Sequence, residues 1–239
     1  MKKAMLCAVA FGLMTTVYAD ADWDYEQTQQ WGSLSQKYAA CNGLNQSPIN
    51  IDRSIKAELE PLTFSYNTLI QSIQNNGHTV QVDFAQGGVL DLDGEQFELK
   101  QFHFHTPSEN QIKGKSYPLE IHFVHANAQG ELAVVAMMYE QGKENLLLKQ
   151  MWKRLPKQKG EKVVLSKPQP VQSMLPENKE YYRFSGSLTT PPCSEGVRWL
   201  VLKEIQTASQ QQIQQFADLM GHPNNRPIQP LNGRVVVEN

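Results

Sequence analysis

The sequence predicts a mainly β protein of the α+β class, in which a large central sheet carries short peripheral helices. Seven segments between residues 63 and 139 have the alternating pattern of strands. Turn signals such as Asn76-Gly77 and Asp93-Gly94 separate several of them. Helical spacing is confined to two stretches after residue 143. Many strands with few helices favour one large sheet over a bundle.

The N-terminus has the pattern of a secretory signal peptide. Basic residues precede an apolar run from Ala4 to Val17, and a small-x-small cleavage site ends at Ala19. We therefore expect cleavage near Ala19 and a periplasmic or secreted protein, with residues 20–239 forming a single domain. The run is too short for a membrane span, and no later stretch is apolar enough to cross a bilayer.

Charge and length limit the classes of partner. The formal net charge is −2, and loss of the two N-terminal lysines makes it −4 (−2 − 2). No basic patch indicates binding to nucleic acid. A mature chain of 220 residues (239 − 19) has a plausible size for one domain.

Three cysteines are present, and Cys7 leaves with the signal peptide. In an oxidising compartment, the remaining pair, Cys41 and Cys193, is a candidate disulfide. Two unpaired buried thiols are the alternative.

The predicted elements follow the chain in order. Residues 20–50 carry aromatic residues and glycines without a lasting period, which indicates ordered coil. Strands are predicted at Thr63–Tyr66, Ile70–Asn75, Thr79–Phe84, Val89–Leu92, Gln96–His105, Leu119–His125, Leu132–Tyr139 and Val197–Leu202.

The C-terminal half holds the predicted helices. Glu144–Leu155 has helical spacing, whereas Ser166–Lys179 is rich in proline and predicted to be irregular. Ala208–Met220 has the pattern of a Gln-rich amphipathic helix, with Thr207 as its N-cap and Gly221 as its stop.

Three histidines on two neighbouring strands are the strongest chemical signal. Alternate residues of a strand share a face, so Gln101, His103 and His105 project to one side. After a Lys/Gly turn, Glu120 and His122 share a face of the next strand. If these faces match, three imidazoles converge.

The alternative is that each histidine is an ordinary core residue whose ring nitrogens are hydrogen-bonded within the fold. Against it, His103 has Gln101 nearby and His122 has Glu120 nearby, and metal-bound imidazoles usually donate their other N–H to such a partner. Three nitrogen ligands with an open fourth position are typical of a catalytic zinc site. His125 falls on the opposite face of its strand and is therefore not included among the predicted metal ligands.

A second stretch, Ser187-Leu-Thr-Thr-Pro-Pro-Cys193, predicts a rigid loop that presents two hydroxyls. An ordinary proline turn is the alternative.

Five motifs together resemble the α-class carbonic anhydrases, most closely the exported bacterial subgroup. They are Asn-Gln-Ser-Pro-Ile-Asn-Ile at 45–51, Asn-Asn-Gly-His at 75–78, Gln-Phe-His-Phe-His at 101–105, Glu-Ile-His-Phe-Val-His at 120–125 and the 187–193 loop. The motifs occur in the family's order, and the resemblance runs from about Trp23 to the C-terminus. It implies a twisted, mostly antiparallel central sheet with zinc in a central cleft.

The resemblance also implies an activity, the reversible hydration of carbon dioxide to bicarbonate and a proton by zinc hydroxide. One Zn²⁺ per chain would be bound by His103, His105 and His122. Gln101, Glu120 and the carbonyl of Asn224 would orient these ligands. Sulfonamide or anion inhibitors are expected, and because bacterial relatives are often dimers, a homodimer is an expectation too.

Further roles follow from the same resemblance. Thr189 would accept a hydrogen bond from zinc-bound hydroxide and donate one to Glu109, and His78 would shuttle protons to buffer. The carbon dioxide pocket would be formed by Val124, Val134, Leu188, Thr190 and Trp199, and Tyr25 and Gln81 would order cleft water. Without the resemblance, the sequence would indicate that His78 and Glu109 are ordinary surface residues in turns.

Two other classes of protein share part of this pattern. The spacing of His103, His105 and Glu109 imitates the first motif of a cupin, but Phe97 and Ser116 stand where glycines are expected, and no second motif follows. A binding or structural domain of the carbonic anhydrase type would have lost zinc ligands, whereas all three are present here.

Overall fold

The computed structural model describes residues 22–84 and 87–239. The predicted signal peptide, residues 1–19, and Cys7 lie outside the described residues. Within the described ranges, no helix combines the length and the apolar character needed to cross a bilayer.

Strands make up most of the regular structure in the described residues. In chain order they are β1 (Asn50–Ile51), β2 (Ile55–Lys56), β3 (Thr63–Tyr66), β4 (Leu69–Asn75), β5 (Val80–Phe84), β6 (Gly88–Leu92), β7 (Glu95–His105), β8 (Gln111–Ile112), β9 (Leu119–Ala126), β10 (Leu132–Gln141), β11 (Lys162–Pro170), β12 (Tyr181–Ser187), β13 (Glu195–Leu202), β14 (Gln206–Ala208) and β15 (Val237–Glu238). The α-helices are α1 (Trp31–Leu34), α2 (Leu146–Met151) and α3 (Gln210–Met220). The predicted mainly β class is confirmed.

One large sheet organises the chain. Its main path runs β11-β4-β5-β7-β9-β10-β13-β12-β15-β2, while β14 pairs with β10, and β6 pairs with both β7 and β3. Most neighbours are antiparallel, but β10 pairs with β13 and β14 in parallel, and β15 pairs with β2 in parallel. Strands β1 and β8 form a separate parallel pair.

The sheet separates two apolar clusters. Phe102, Phe104 and Phe123 are fully buried in the larger cluster on one face. Val134 and Trp199 belong to the second cluster, on the face that also carries the paired histidines. Burial of each phenylalanine stabilises the fold by about 1.5–3 kcal/mol relative to an exposed side chain. The alternation predicted for β7 therefore has a packing cause.

The central register sets up the functional face. His103 of β7 lies directly opposite His122 of β9, and Gln81 of β5 lies opposite His103. Because this register is fixed by burial of the phenylalanines on the other face, a one-residue slip would turn the histidines into the core.

The proline-rich segment Ser166–Lys179 was predicted to be irregular, but its first residues belong to a strand. Residues 162–170 form β11, an edge strand whose register with β4 shifts between Val164 and Gln169. Prolines are tolerated there because an edge strand leaves one row of backbone groups without a sheet partner. Only the 3₁₀ turn at Val171–Met174 and the residues after it lack strand structure in this segment.

The start of α3 was also predicted wrongly. Ser209, not Thr207, is the N-cap, since its side chain accepts from the backbone N–H of Gln212 in a capping box. Thr207 instead lies in β14, opposite Glu140 of β10. Gly221 ends the helix as predicted, with φ +70°.

The predicted coil at residues 20–50 contains short helical turns. They are Thr28–Gln30, α1 and Gln36–Asn42. Turns of three to seven residues are too short to give the sequence a lasting period.

Candidate metal centre

Three imidazoles converge in the cleft at the centre of the sheet. One ring nitrogen from each of His103, His105 and His122 lies within 4.8 Å of the others. His105 and His122 are buried and His103 is partly buried. The predicted convergence is therefore present, produced by the β7–β9 register.

The second nitrogen of each ring is held by an oxygen acceptor. His103 Nδ1 lies 2.8 Å from Gln101 Oε1, His105 Nδ1 lies 2.7 Å from the carbonyl of Asn224, and His122 Nε2 lies 2.8 Å from Glu120 Oε1. Because these oxygens accept, each ring donates from the bonded nitrogen. The lone pairs that remain are on His103 Nε2, His105 Nε2 and His122 Nδ1.

The donor set fits a metal ion. His105 Nε2 is buried and has no hydrogen-bond partner among the described residues. Burial lowers the pKa of all three imidazoles, and nearby histidines lower those of His103 and His122 further. Neutral imidazole is the form that binds metal.

Glu120 is held by the segment that follows His105. Its Oε2 accepts from the backbone N–H groups of Glu109 (2.6 Å) and Asn110 (2.9 Å), and its Oε1 accepts from the Asn110 side chain (2.9 Å). Burial raises the pKa of Glu120 to about 7, while the Asn110 amide acts in the opposite direction. Sequence reasoning missed this role of Asn110.

Glu109 is a buried carboxyl beside the metal-facing nitrogens. Its Oε2 lies 3.4 Å from His105 Nε2 and 3.8 Å from His122 Nδ1, and its Oε1 accepts from the Arg226 backbone N–H at 2.8 Å. Burial raises its pKa well above the usual range, and the Arg226 backbone and the Thr189 side chain lower it. The structure thus places Thr189 next to Glu109.

The loop that carries Thr189 is tied down on several sides. A disulfide joins Cys193 to Cys41, as the pairing prediction required. Cys193 N–H donates to the Thr190 carbonyl at 2.8 Å, and Gln46 Nε2 donates to the Cys193 carbonyl at 3.2 Å. These tethers make the segment more than an ordinary proline turn.

An apolar wall lies beside the imidazoles. Val124, Val134 and Trp199 stand side by side across β9, β10 and β13. The Trp199 ring lies 4.9 Å from the His122 ring, and its Nε1 donates to the Ser187 carbonyl at 3.0 Å. Leu188 packs against the same cluster.

The rim of the cleft is aromatic. His78 is half-buried rather than freely solvent-facing, because its ring stacks on Trp23 at 3.8 Å with an interplanar angle of 11°. Burial lowers the pKa of His78, and Lys159 lowers it further. Tyr25 packs edge-on against Trp23 at 5.5 Å. The stacking partner Trp23 lies far from His78 in sequence, and no local pattern indicated it.

The comparison with known sequences decides the family. Residues 26–239 match the family described as eukaryotic-type carbonic anhydrase. The chain belongs to the α-carbonic anhydrase family. A carbonic anhydrase of Pectobacterium carotovorum is 48% identical over 238 residues, which cover 98% of this chain and 97% of that protein.

Solved carbonic anhydrase structures have the same fold. The α-carbonic anhydrase of Photobacterium profundum is 49% identical, with a TM-score of 0.86 over 91% of this chain and 100% of the other. The α-carbonic anhydrase of Thermovibrio ammonificans, solved with the inhibitor sulfanilamide, is 46% identical, with a TM-score of 0.89 over 92% and 100%. Carbonic anhydrase enzymes are thus similar to this chain over nearly its whole length, and the predicted enzyme class is confirmed.

Proposed function

We propose that the chain hydrates carbon dioxide reversibly at one zinc ion bound by His103, His105 and His122, and that His78 carries the released proton. The observation that carries the proposal is the convergence of three oriented, neutral imidazoles beside a buried Thr189–Glu109 pair. A structural zinc site would use four protein ligands, whereas this cluster supplies three.

Zinc bound to these nitrogens would lower the pKa of its water to about 7 and supply hydroxide as the nucleophile, the behaviour for which carbonic anhydrase itself is the standard example. The chain's contribution is orientation. Gln101, Glu120 and Asn224 each fix one ring, so the three lone pairs point at one place before any ion binds.

Thr189 and Glu109 would orient the nucleophile. Glu109 Oε1 is occupied by the Arg226 N–H, which leaves Oε2 for the Thr189 hydroxyl. A hydroxyl that donates to a carboxylate has its lone pairs free to accept, so Thr189 would accept a hydrogen bond from the O–H of the nucleophile and direct the nucleophile's lone pair at the substrate. A bound cation would favour the ionised form of Glu109.

The apolar wall suits the substrate. Carbon dioxide is small and nonpolar, and the surface of Val124, Val134, Leu188 and Trp199 offers it dispersion contacts without hydrogen bonds. Weak binding of this kind keeps the substrate close to the nucleophile while allowing the charged product to leave.

The rim supplies proton transfer. Since its pKa is lowered, His78 is neutral at neutral pH and can accept a proton from cleft water. Tyr25, which packs on Trp23, and Gln81, which lies opposite His103, would order the cleft water, and Gln81 Nε2 donates to Asp83 at 3.3 Å. Replacing His78 by Ala is expected to slow turnover in weak buffer, with rescue by imidazole.

Stopped-flow carbon dioxide hydration, with zinc assayed on the same sample, tests the function. We expect one zinc per chain, activity that disappears with a chelator and returns with zinc, and inhibition by sulfanilamide. One zinc per chain without hydration would instead indicate a binding domain. A protein without bound metal would indicate that the three histidines are ordinary core residues.

We further propose export and dimer formation. The N-terminal pattern supports cleavage near Ala19 and release into the periplasm, where the Cys41–Cys193 disulfide is stable. N-terminal sequencing of the protein from the periplasmic fraction tests export and cleavage, and light scattering tests dimer formation. An uncleaved cytoplasmic chain or a monomer at all concentrations would contradict them.

A further inference from the structure

His222 is an exposed histidine at the cleft rim that the proposed mechanism does not use. It follows Gly221, the residue that ends α3. Its Nδ1 lies 3.0 Å from the carbonyl of Pro223. Because a carbonyl can only accept, Nδ1 carries the proton, and the lone pair of Nε2 remains available as a base.

The loop that carries His222 is bonded to the metal centre. Asn224, two residues on, accepts from His105 Nδ1 through its carbonyl. Its side-chain Nδ2 donates to the backbone carbonyls of His78 (3.1 Å) and Phe104 (3.0 Å). One buried asparagine thus joins the His222 loop to both His78 and a metal-binding strand, and so holds His222 near the cleft.

A ring contact places His222 beside Tyr25. The Tyr25 and His222 ring centroids are 6.3 Å apart. Burial raises the pKa of Tyr25, and the charge of Glu109 raises it further, which places the Tyr25 hydroxyl within the field of that carboxyl. Tyr25 is therefore close to His222 and is influenced by Glu109, the carboxyl beside the three metal-site histidines.

His222 and His78 both lie at the rim of the cleft, on segments that are far apart in the sequence. Burial is the largest cause that lowers the pKa of His78; Lys159 and His222 lower it further, whereas Asp22 and Asp24 raise it. His78 is confined by its stack on Trp23, whereas His222 is open to solvent. The two imidazoles therefore differ in access to buffer.

We propose that His222 is a second proton-transfer residue, which accepts protons from cleft water on the Tyr25 side in parallel with His78. In this step a water O–H bond breaks, an N–H bond forms at Nε2, and the imidazolium then releases a proton to buffer. Imidazole is the side chain suited to carry protons at neutral pH. The inference rests on the proposed hydration activity.

Four proteins test the proposal: wild type, His78→Ala, His222→Ala and the double variant. Carbon dioxide hydration is measured by stopped flow in dilute buffer and again with added imidazole. Parallel routes add, so each single variant should keep part of kcat in dilute buffer. The double variant should fall several-fold below His78→Ala, to a loss of about 10²-fold or more from wild type.

A structural role for His222 would give a different pattern. Loss of proton transfer alone leaves kcat/KM unchanged and is reversed by imidazole, whereas a distorted cleft lowers kcat/KM and is not reversed. Gln211→Ala, at an exposed position of α3, serves as the control and should match wild type.

The inference is wrong if the double variant equals His78→Ala in dilute buffer, or if imidazole fails to restore its turnover. Either result with kcat/KM and zinc content intact would overturn only the role of His222. A wild type that binds zinc and does not hydrate carbon dioxide would overturn the proposed function, and this inference with it.

Discussion

The buried imidazole of His125 makes the stability of the fold depend on pH. It lies three residues after His122, yet its ring is fully buried on the opposite face of β9. Its Nδ1 donates to the Ala133 carbonyl at 3.2 Å, and its Nε2 accepts from the Tyr66 hydroxyl at 2.5 Å. Both ring nitrogens are thus used in the neutral form, and protonation would break the bond from Tyr66.

The expected pH dependence follows from linkage. Burial lowers the pKa of His125 from 6.5 to about 4, so between these values the unfolded chain binds more protons than the folded one. The stabilisation is fully present above about pH 6.5 and is lost as pH falls towards 4. At about 1.4 kcal/mol per pKa unit, the free energy of unfolding should decrease by about 3 kcal/mol over this window because of His125 alone.

Urea unfolding at several pH values between 7 and 4 measures this contribution, with wild type compared to His125→Gln. A chelator is present throughout, so that loss of metal does not enter. The titrations of other histidines cancel in the difference, and the wild type should lose about 3 kcal/mol more than the variant. Equal pH slopes for the two proteins would show that burial of His125 does not cause this pH dependence. Tyr66→Phe, which keeps the imidazole, should retain a slope.

Three more predictions follow from the contacts. Gln101→Ala removes the acceptor that fixes His103, and zinc affinity, measured by competition with a chelator, should fall about 10–100-fold; unchanged affinity would contradict the role of that contact. Cys41→Ser with Cys193→Ser should lower the free energy of unfolding by about 2–5 kcal/mol in urea titrations, and no loss would mean that the bridge adds nothing. Thr189→Ala should reduce kcat/KM by about 10²–10³-fold with zinc content unchanged, whereas Thr189→Ser, which keeps the hydroxyl, should retain most activity.

Sequence reasoning succeeded where local pattern and long-range packing agree. Strands β3 to β7 largely alternate because one face packs against the larger apolar cluster, whereas β9 and β10 lie between the two clusters and are buried on both faces. The same alternation put His103 and His105 on one face and Phe102 on the other, so convergence with His122 could be predicted once the two strands were paired.

The remaining features depend on contacts that no local pattern records. Ser209 caps α3 because Thr207 is drawn into a parallel pairing with β10. Strand β12 has no clear alternation: its identity comes from pairing with β13 and β15. Asn110 contributes by donating a hydrogen bond to Glu120, and Trp23 contributes by stacking on His78. The residues of each pair are too far apart in the sequence for a periodic pattern to indicate the contact.

In the proposed function, the shared face of two paired strands creates the zinc site, and the presence of histidines alone is not sufficient. The most direct test compares His122→Gln with His125→Gln for zinc content and carbon dioxide hydration on the same samples. We expect His122→Gln to lose zinc and activity, and His125→Gln, folded at pH 7.5, to retain one zinc per chain and near wild-type kcat/KM. Zinc and activity retained in His122→Gln would contradict this expectation.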